Sequence, residues 1–168
     1  MSGEPDAAAE VMWQGKYIRA VKRGRWEYVS RVGGVRAVVI LAEYEGKVIL
    51  IDQTRVGLGR RCLELPAGLV GDENPNATIE ETAVKELEEE AGFTAERIER
   101  LGDFYASPGM LSEGFTLVRA DGVRPTGGDH EADIVVHLVA RADIPAFIEQ
   151  MRAEGMAIDV KLLIFMNF

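Results

Sequence analysis

The sequence predicts an α+β sandwich, and three observations carry that prediction. Strand-like segments dominate the order of elements, with one long helix in the middle and another near the C-terminus. Two neighbouring segments, Val35 to Ala42 and Val48 to Asp52, are apolar almost without interruption, which implies strands buried on both faces. The helix that begins after Thr78 pairs an apolar arc (Ala83, Val84, Leu87, Ala91) with an adjoining acidic arc of Glu86, Glu89 and Glu90.

The chain has 168 residues, ample for one domain with a proper core and short for two. A net charge of −9 argues against a general nucleic-acid or anionic-membrane surface. It leaves room for a polyanionic small molecule, provided metal ions and a few arginines offset the local field. One cysteine, Cys62, cannot form an internal disulfide, which fits a reducing compartment. No apolar run approaches the ~18–20 residues of a membrane span, and no charged-then-apolar signal pattern opens the chain. The expectation is a cytoplasmic protein with no nucleic-acid or membrane partner.

In chain order, residues 1–10 are small and acidic and are expected to fray. Tyr17 to Val21 and Trp26 to Val29 flank Lys22-Arg23-Gly24-Arg25 and read as a hairpin. The two buried strands follow, joined at Tyr44-Glu45-Gly46, and then Gln53-Thr54-Arg55 leads into a loop whose Arg60 and Arg61 read as solvated. Cys62 to Leu65 is a short strand delivering a turn at Pro66-Ala67-Gly68. Thr78 and Glu81 form a capping box for the central helix, and Gly92 supplies its left-handed stop. Ile98 to Tyr105, Gly114 to Ala120 and Ile134 to Ala140 are further strands, with a Gly-rich loop from Arg124 to Asp129. His130 reads as a solvated loop residue and His137 as an alternating strand residue. Asp143 is the expected N-cap of the last long helix, Pro145 sits in its first turn and Gly155 ends it. Asp159 to Phe168 is expected to dock as a short helix.

A carboxylate cluster against an apolar helix face offers the oxygen ligands that a hard cation such as Mg²⁺ requires. Alone, such a run reads first as a solvated face; its surroundings change that. Lys85-Glu86-Leu87-Glu88-Glu89-Glu90-Ala91-Gly92-Phe93 resembles the second half of the Nudix box, Arg-Glu-aliphatic-x-Glu-Glu-x-Gly-aliphatic. Glu64-Leu65-Pro66-Ala67-Gly68 resembles the strand and loop that lead into it. Two positions depart: the box's earlier glutamate falls on Ala77, and its arginine is Lys85. In the family those two side chains brace the loop against the helix, so the brace is expected to be missing. The loop from Gly68 to Lys85 looks longer than the family's common form and, with Asp72 and Glu73, offers a substitute partner. Trp26-Glu27 and Pro108, sixteen residues beyond Gly92, resemble features of the family's ADP-ribose pyrophosphatase branch.

The resemblance covers nearly the whole chain and implies the α+β Nudix fold, mixed β-sheets sandwiched between α-helices, with an N-terminal β-hairpin. Residues 1–34 would be a tail and dimerising hairpin, and residues 35–168 the Nudix hydrolase domain. It implies that Ala67 (through its carbonyl), Glu86, Glu89, Glu90 and Asp133 hold Mg²⁺, with Mn²⁺ as the alternative. Glu131, in an acid-x-acid pair beside the Gly-rich loop, would be the general base, working with Glu86 and Glu90. Substrate binding would fall to Trp26, Glu27, Arg55, Glu64, Pro108 and Glu113; Trp26 reads equally as a core residue. The implied reaction is Mg²⁺-dependent hydrolysis of a nucleoside diphosphate sugar, first of all ADP-ribose to AMP and ribose 5-phosphate. The implied assembly is a homodimer with exchanged hairpins. The competing readings are another sugar nucleotide such as GDP-mannose, and a non-catalytic nucleotide-binding module.

Overall fold

The computed structural model describes residues 7–72 and 74–166. The expected fraying of residues 1–6, the role offered to Glu73 and the end of the last segment at residues 167–168 lie outside them. Strands β1 (Glu10–Gln14), β2 (Ile18–Arg23) and β3 (Trp26–Arg31) form an antiparallel sheet in chain order. The expected hairpin is β2–β3, closed at Gly24-Arg25 with Gly24 at φ 59°. Strand β1 is an addition to the sequence expectation: Val11, Met12 and Trp13 favour a strand, and Glu10 pairs with Lys22 rather than fraying.

Strands β4 (Arg36–Tyr44) and β5 (Lys47–Arg55) are joined by Glu45-Gly46, both at positive φ (50° and 74°), as a tight two-residue hairpin needs. They remain paired only at Glu43↔Val48 and Tyr44↔Lys47, then diverge. Next come β6 (Arg60–Glu64), β7 (Ala67–Val70), helix α1 (Ile79–Ala91) and the short β8 (Phe93–Thr94). The chain continues through β9 (Arg97–Phe104), β10 (Phe115–Asp121), β11 (Arg124–Pro125) and β12 (Val135–Ala140). Helix α2 (Ile144–Ala153), β13 (Ala157–Ile158) and a 3-10 turn (Val160–Phe165) complete it. Strand β4 takes β7 on one side and β10, in parallel, on the other, with β9 beyond. Strand β5 takes β12 and β6, and β6 takes β13 in parallel.

The alternation of side chains along β4 and β5 divides the interior in two. Val38, Ile40 and Ala42 of β4, with Ile49 and Ile51 of β5, face Ala83, Leu87 and Ala91 of α1. Val39 of β4, with Val48 and Leu50 of β5, faces Ile144, Ile148 and Met151 of α2, and Leu162 and Phe165 of the 3-10 turn. Both faces of these strands are thus covered, as the continuous apolar runs imply.

Two local expectations are corrected. Ala67 to Val70 is a strand paired with β4 rather than part of a turn, so the reversal is tighter than the sequence implies. Asp143 does not cap α2: it lies in the helical region (φ −92°, ψ −10°) and its side chain accepts no capping bond. A 3-10 turn at Arg141–Asp143 runs directly into α2, leaving no extended residue to act as a cap.

Candidate active site

Helix α1 is fixed at both ends by its own sequence. Thr78 Oγ1 accepts from the Glu81 N–H at 3.1 Å, and Glu81 Oε2 accepts from the Thr78 N–H at 2.9 Å. Gly92, at φ 71°, donates its N–H to the Glu88 carbonyl at 3.0 Å. With Ala83, Leu87 and Ala91 locked into the core, the acidic arc can only face β7 and the loop before β12. Glu90 is 8% exposed and accepts the Ala67 N–H at 2.8 Å. Burial is the main cause that pushes its carboxyl up to about 8; Glu86 and Glu131 add to the rise, while the Ala67 N–H and Arg55 oppose it. Glu86 packs on Gly68, where a β-carbon would displace its carboxyl group.

A cavity of about 410 Å³ opens between α1 and β7, lined among others by Gly68, Lys85, Glu86, Glu89 and Glu131. Glu131 comes from the loop before β12, and its N–H donates to the Glu89 carbonyl at 2.8 Å. Thr126 anchors the start of that loop by donating its N–H to the Gly92 carbonyl at 2.9 Å. Glu86, Glu89, Glu90 and Glu131 are hard oxygen donors concentrated in one place. Lys85 already places a cation on one of them, with Nζ 2.7 Å from Glu89 Oε2. Among the described residues no three acidic, histidine or thiol side chains form a preformed cation cage. The donor types fit Mg²⁺ or Mn²⁺; Ala67 meets the site through its N–H.

Arg55 grips Glu64 with both arms of its guanidinium, at 2.7 and 2.6 Å, and Glu64 is buried. This pair stands beside Glu90, whose charge Arg55 offsets. Asp133 is not on the acidic cavity. Its Oδ2 lies 3.4 Å from the Thr54 N–H, and its carbonyl accepts from Arg61 Nη2 at 2.9 Å.

Trp26, Glu27 and Pro108 meet in a second cavity of about 580 Å³, together with Arg23, Tyr28 and Leu111. Trp26 is 57% exposed and so is not a core residue. Strand β3 is fastened there by the Val29 N–H on the Met110 carbonyl (2.8 Å) and the Ser112 N–H on the Val29 carbonyl (3.0 Å). Glu113 forms an ion pair with Arg31 in a smaller cavity of about 210 Å³. The acidic and aromatic cavities share no lining residue, so one chain does not bring Trp26 onto the glutamates.

Sequence reasoning misses a buried polar cluster. Asp52 is 1% exposed and is held by Arg61 and by His137 Nε2 at 2.6 Å. Arg61 is therefore not the solvated loop residue it resembles, and His137 is more than an alternating strand residue. The signal was Asp52 itself, a carboxylate inside an apolar strand that cannot be buried without partners.

Residues 33–154 match the family model of the NUDIX domain. The chain is 38% identical over 120 residues to an ADP-ribose pyrophosphatase of Bacillus subtilis, an alignment covering 66% of this chain and 62% of the relative. It is 35% identical over 103 residues to an ADP-ribose pyrophosphatase of Mycobacterium tuberculosis, covering 60% and 47%. It is 37% identical over 98 residues to a methanol dehydrogenase activator of Bacillus methanolicus, covering 58% and 50%. The chain thus spans less than two thirds of the length of these relatives. The crystal structure of an ADP compounds hydrolase superposes with a TM-score of 0.70 at 22% identity, over 94% of this chain and 89% of that one, which establishes the same fold. With the matched segment spanning both buried strands, α1 and the loop of Glu131, the chain belongs to the Nudix family.

Proposed function

We propose that this protein is a divalent-cation-dependent pyrophosphatase that hydrolyses a nucleoside diphosphate sugar, ADP-ribose foremost, to AMP and ribose 5-phosphate. The observation that carries the reading is the acidic cavity, in which Glu86 and Glu89 of α1 face Glu131 across a gap walled by Gly68. Glu86, Glu89 and Glu90 would hold Mg²⁺ or Mn²⁺. The bound cation offsets pyrophosphate charge and lowers the pKa of water.

The chain's own groups supply the rest. Glu131 takes a proton from the attacking water, whose oxygen bonds to one phosphorus while the bridging P–O bond breaks. The bridging oxygen then leaves on the other phosphate. Arg55, fixed by Glu64, presents the free edge of its guanidinium to a phosphate oxygen. Trp26 stacks on the base, with Glu27 and Pro108 bordering that site and Glu113 in the neighbouring cavity that shares Ser112 with it. Since Trp26 lies in a different cavity from the glutamates, the complete site would be built across a homodimer in which residues 1–34 reach the partner. Six basic residues between Lys16 and Arg31 on an acidic chain favour such a contact. Cys62 is buried, and its thiol is pushed up to about 12 chiefly by burial. That is compatible with a reducing cytoplasm. Among the described residues no helix is long and apolar enough to cross a membrane.

The test is a panel of sugar nucleotides, including ADP-ribose and GDP-mannose, assayed with Mg²⁺, with Mn²⁺ and with chelator. Chelator-sensitive release of AMP from ADP-ribose supports the proposal. Preference for GDP-mannose moves the substrate, and tight binding without turnover makes the protein a binding module.

A further inference from the structure

We infer that Arg61 is a positioning residue for Glu131, tying the loop that carries Glu131 to the buried Asp52–His137 pair. The inference rests on the proposed role of Glu131 as general base. Asp52 sits at the end of the apolar run of β5, at a depth where a carboxylate needs hydrogen-bonded partners. His137 of β12 approaches it from one side at 2.6 Å, its ring packed against Phe147 of α2 with centroids 5.2 Å apart. Arg61 of β6 approaches from the other, donating Nε to Oδ1 of Asp52 and Nη2 to its carbonyl at 2.7 Å.

The same guanidinium reaches the loop. Its Nη2 donates to the Asp133 carbonyl at 2.9 Å, and its Nη1 lies 3.5 Å from Asp133 Oδ1. Two residues earlier the chain is held on its opposite side, by the Glu131 N–H on the Glu89 carbonyl. The Ile134 N–H then closes back on the Glu131 carbonyl at 3.0 Å. Glu131 therefore enters its position from a contact with α1 and leaves it toward a contact with Arg61. Between these two anchors its side chain lines the acidic cavity. A planar fork can serve Asp52 and Asp133 together, whereas a lysine ammonium is a compact point charge on a flexible stem.

A merely structural Arg61 would only neutralise Asp52, and that alternative predicts different behaviour. Arg61→Lys keeps a cation beside Asp52, so its thermal midpoint should stay near that of the parent. Hydrogen exchange of the full chain, read without substrate or metal, should nevertheless show loss of protection in peptides covering Glu131 and Ile134, with α1 unchanged. In the hydrolysis assay kcat should fall by up to about 10²-fold, the cost of a small misplacement of a catalytic group, with KM nearly constant. In a Glu131→Gln background the same change should cost little more, because residues acting as one unit are not additive. Arg61→Met, which removes the fork and the charge, should reproduce the loop effect. Unchanged loop protection in both variants overturns the inference, as does an Arg61→Lys penalty that multiplies fully with that of Glu131→Gln. If the parent hydrolyses nothing on the panel, the proposed function fails, and the exchange measurement alone decides the role of Arg61.

Discussion

Gly68 and Glu86 are in such close contact that a β-carbon at Gly68 would overlap the carboxyl group of Glu86. Strand β7 can therefore lie against the acidic arc with Glu86 in its present place because this residue has no side chain. Gly68→Ala should push Glu86 out of place. Metal affinity should fall by about 10–100-fold, the usual cost of disturbing what orients a ligand. Isothermal titration with Mg²⁺ checks this, and an unchanged affinity would remove Glu86 from the metal set.

Glu90→Gln should abolish metal-dependent hydrolysis while raising stability in metal-free buffer. The glutamine can still accept the Ala67 N–H, but it carries no buried charge. The folded value of Glu90, about 8, lies above its ordinary 4.5. Its contribution to stability is thus full below pH 4.5 and is lost as the pH climbs to about 8. At about 1.4 kcal/mol per pH unit, the parent should weaken by several kcal/mol across that window, and the variant should show a flatter profile. Denaturant unfolding with chelator at several pH values reads the difference; parallel profiles would sink the assignment of a buried ionisable Glu90.

Glu131→Gln should lower kcat by roughly 10²–10⁴-fold, the usual worth of a general base, with little change in KM. Glu113, the next carboxylate to be considered as base, is paired with Arg31 in a different cavity. Steady-state kinetics on the preferred sugar nucleotide decides, and a fully active variant would move the role away from the loop.

Lys85 Nζ lies 2.7 Å from Glu89 Oε2 one turn along its own helix, and the Ala77 N–H is occupied by the Asn74 carbonyl at 2.9 Å. Ala77 and Lys85 nonetheless line the same cavity. Combining Ala77→Glu with Lys85→Arg should stabilise the protein beyond the sum of the single changes, with a coupling of about 0.5–3 kcal/mol. Denaturant unfolding of all four forms measures it. A coupling near zero means that the Asn74–Asn76 turn, where the Asn76 N–H bonds Asn74 Oδ1 at 3.1 Å, has already re-routed the loop.

What could be read from the sequence was local. Helix α1 announced both ends because Thr78, Glu81 and Gly92 act on backbone groups within a few residues of themselves. Strands β4 and β5 showed their double burial because side-chain alternation is set within each strand. Asp52, Arg61 and His137 gave no such sign: they come from β5, β6 and β12, and only the pairing of those strands joins them. Trp26 reads both ways for the same reason, since a tryptophan in a strand looks alike whether its face is covered or open. Asp143 had the right residue type for a cap and the wrong backbone, because the preceding turn was already helical.

The parting of β4 from β5 beyond Tyr44 and Lys47 also governs which changes of length the chain can survive. Each strand contributes alternate residues to two separate interiors. Deleting one residue between Val48 and Asp52 would turn Ile49 and Ile51 from α1 toward α2, and would misdirect Asp52 from Arg61 and His137. In the stretch from Asp72 to Ala77, Asp72, Asn74 and Ala77 line the cavity wall, and its described residues pair with no strand. Insertions and deletions in descendants of this sequence should therefore accumulate before α1 and leave the two central strands at constant length.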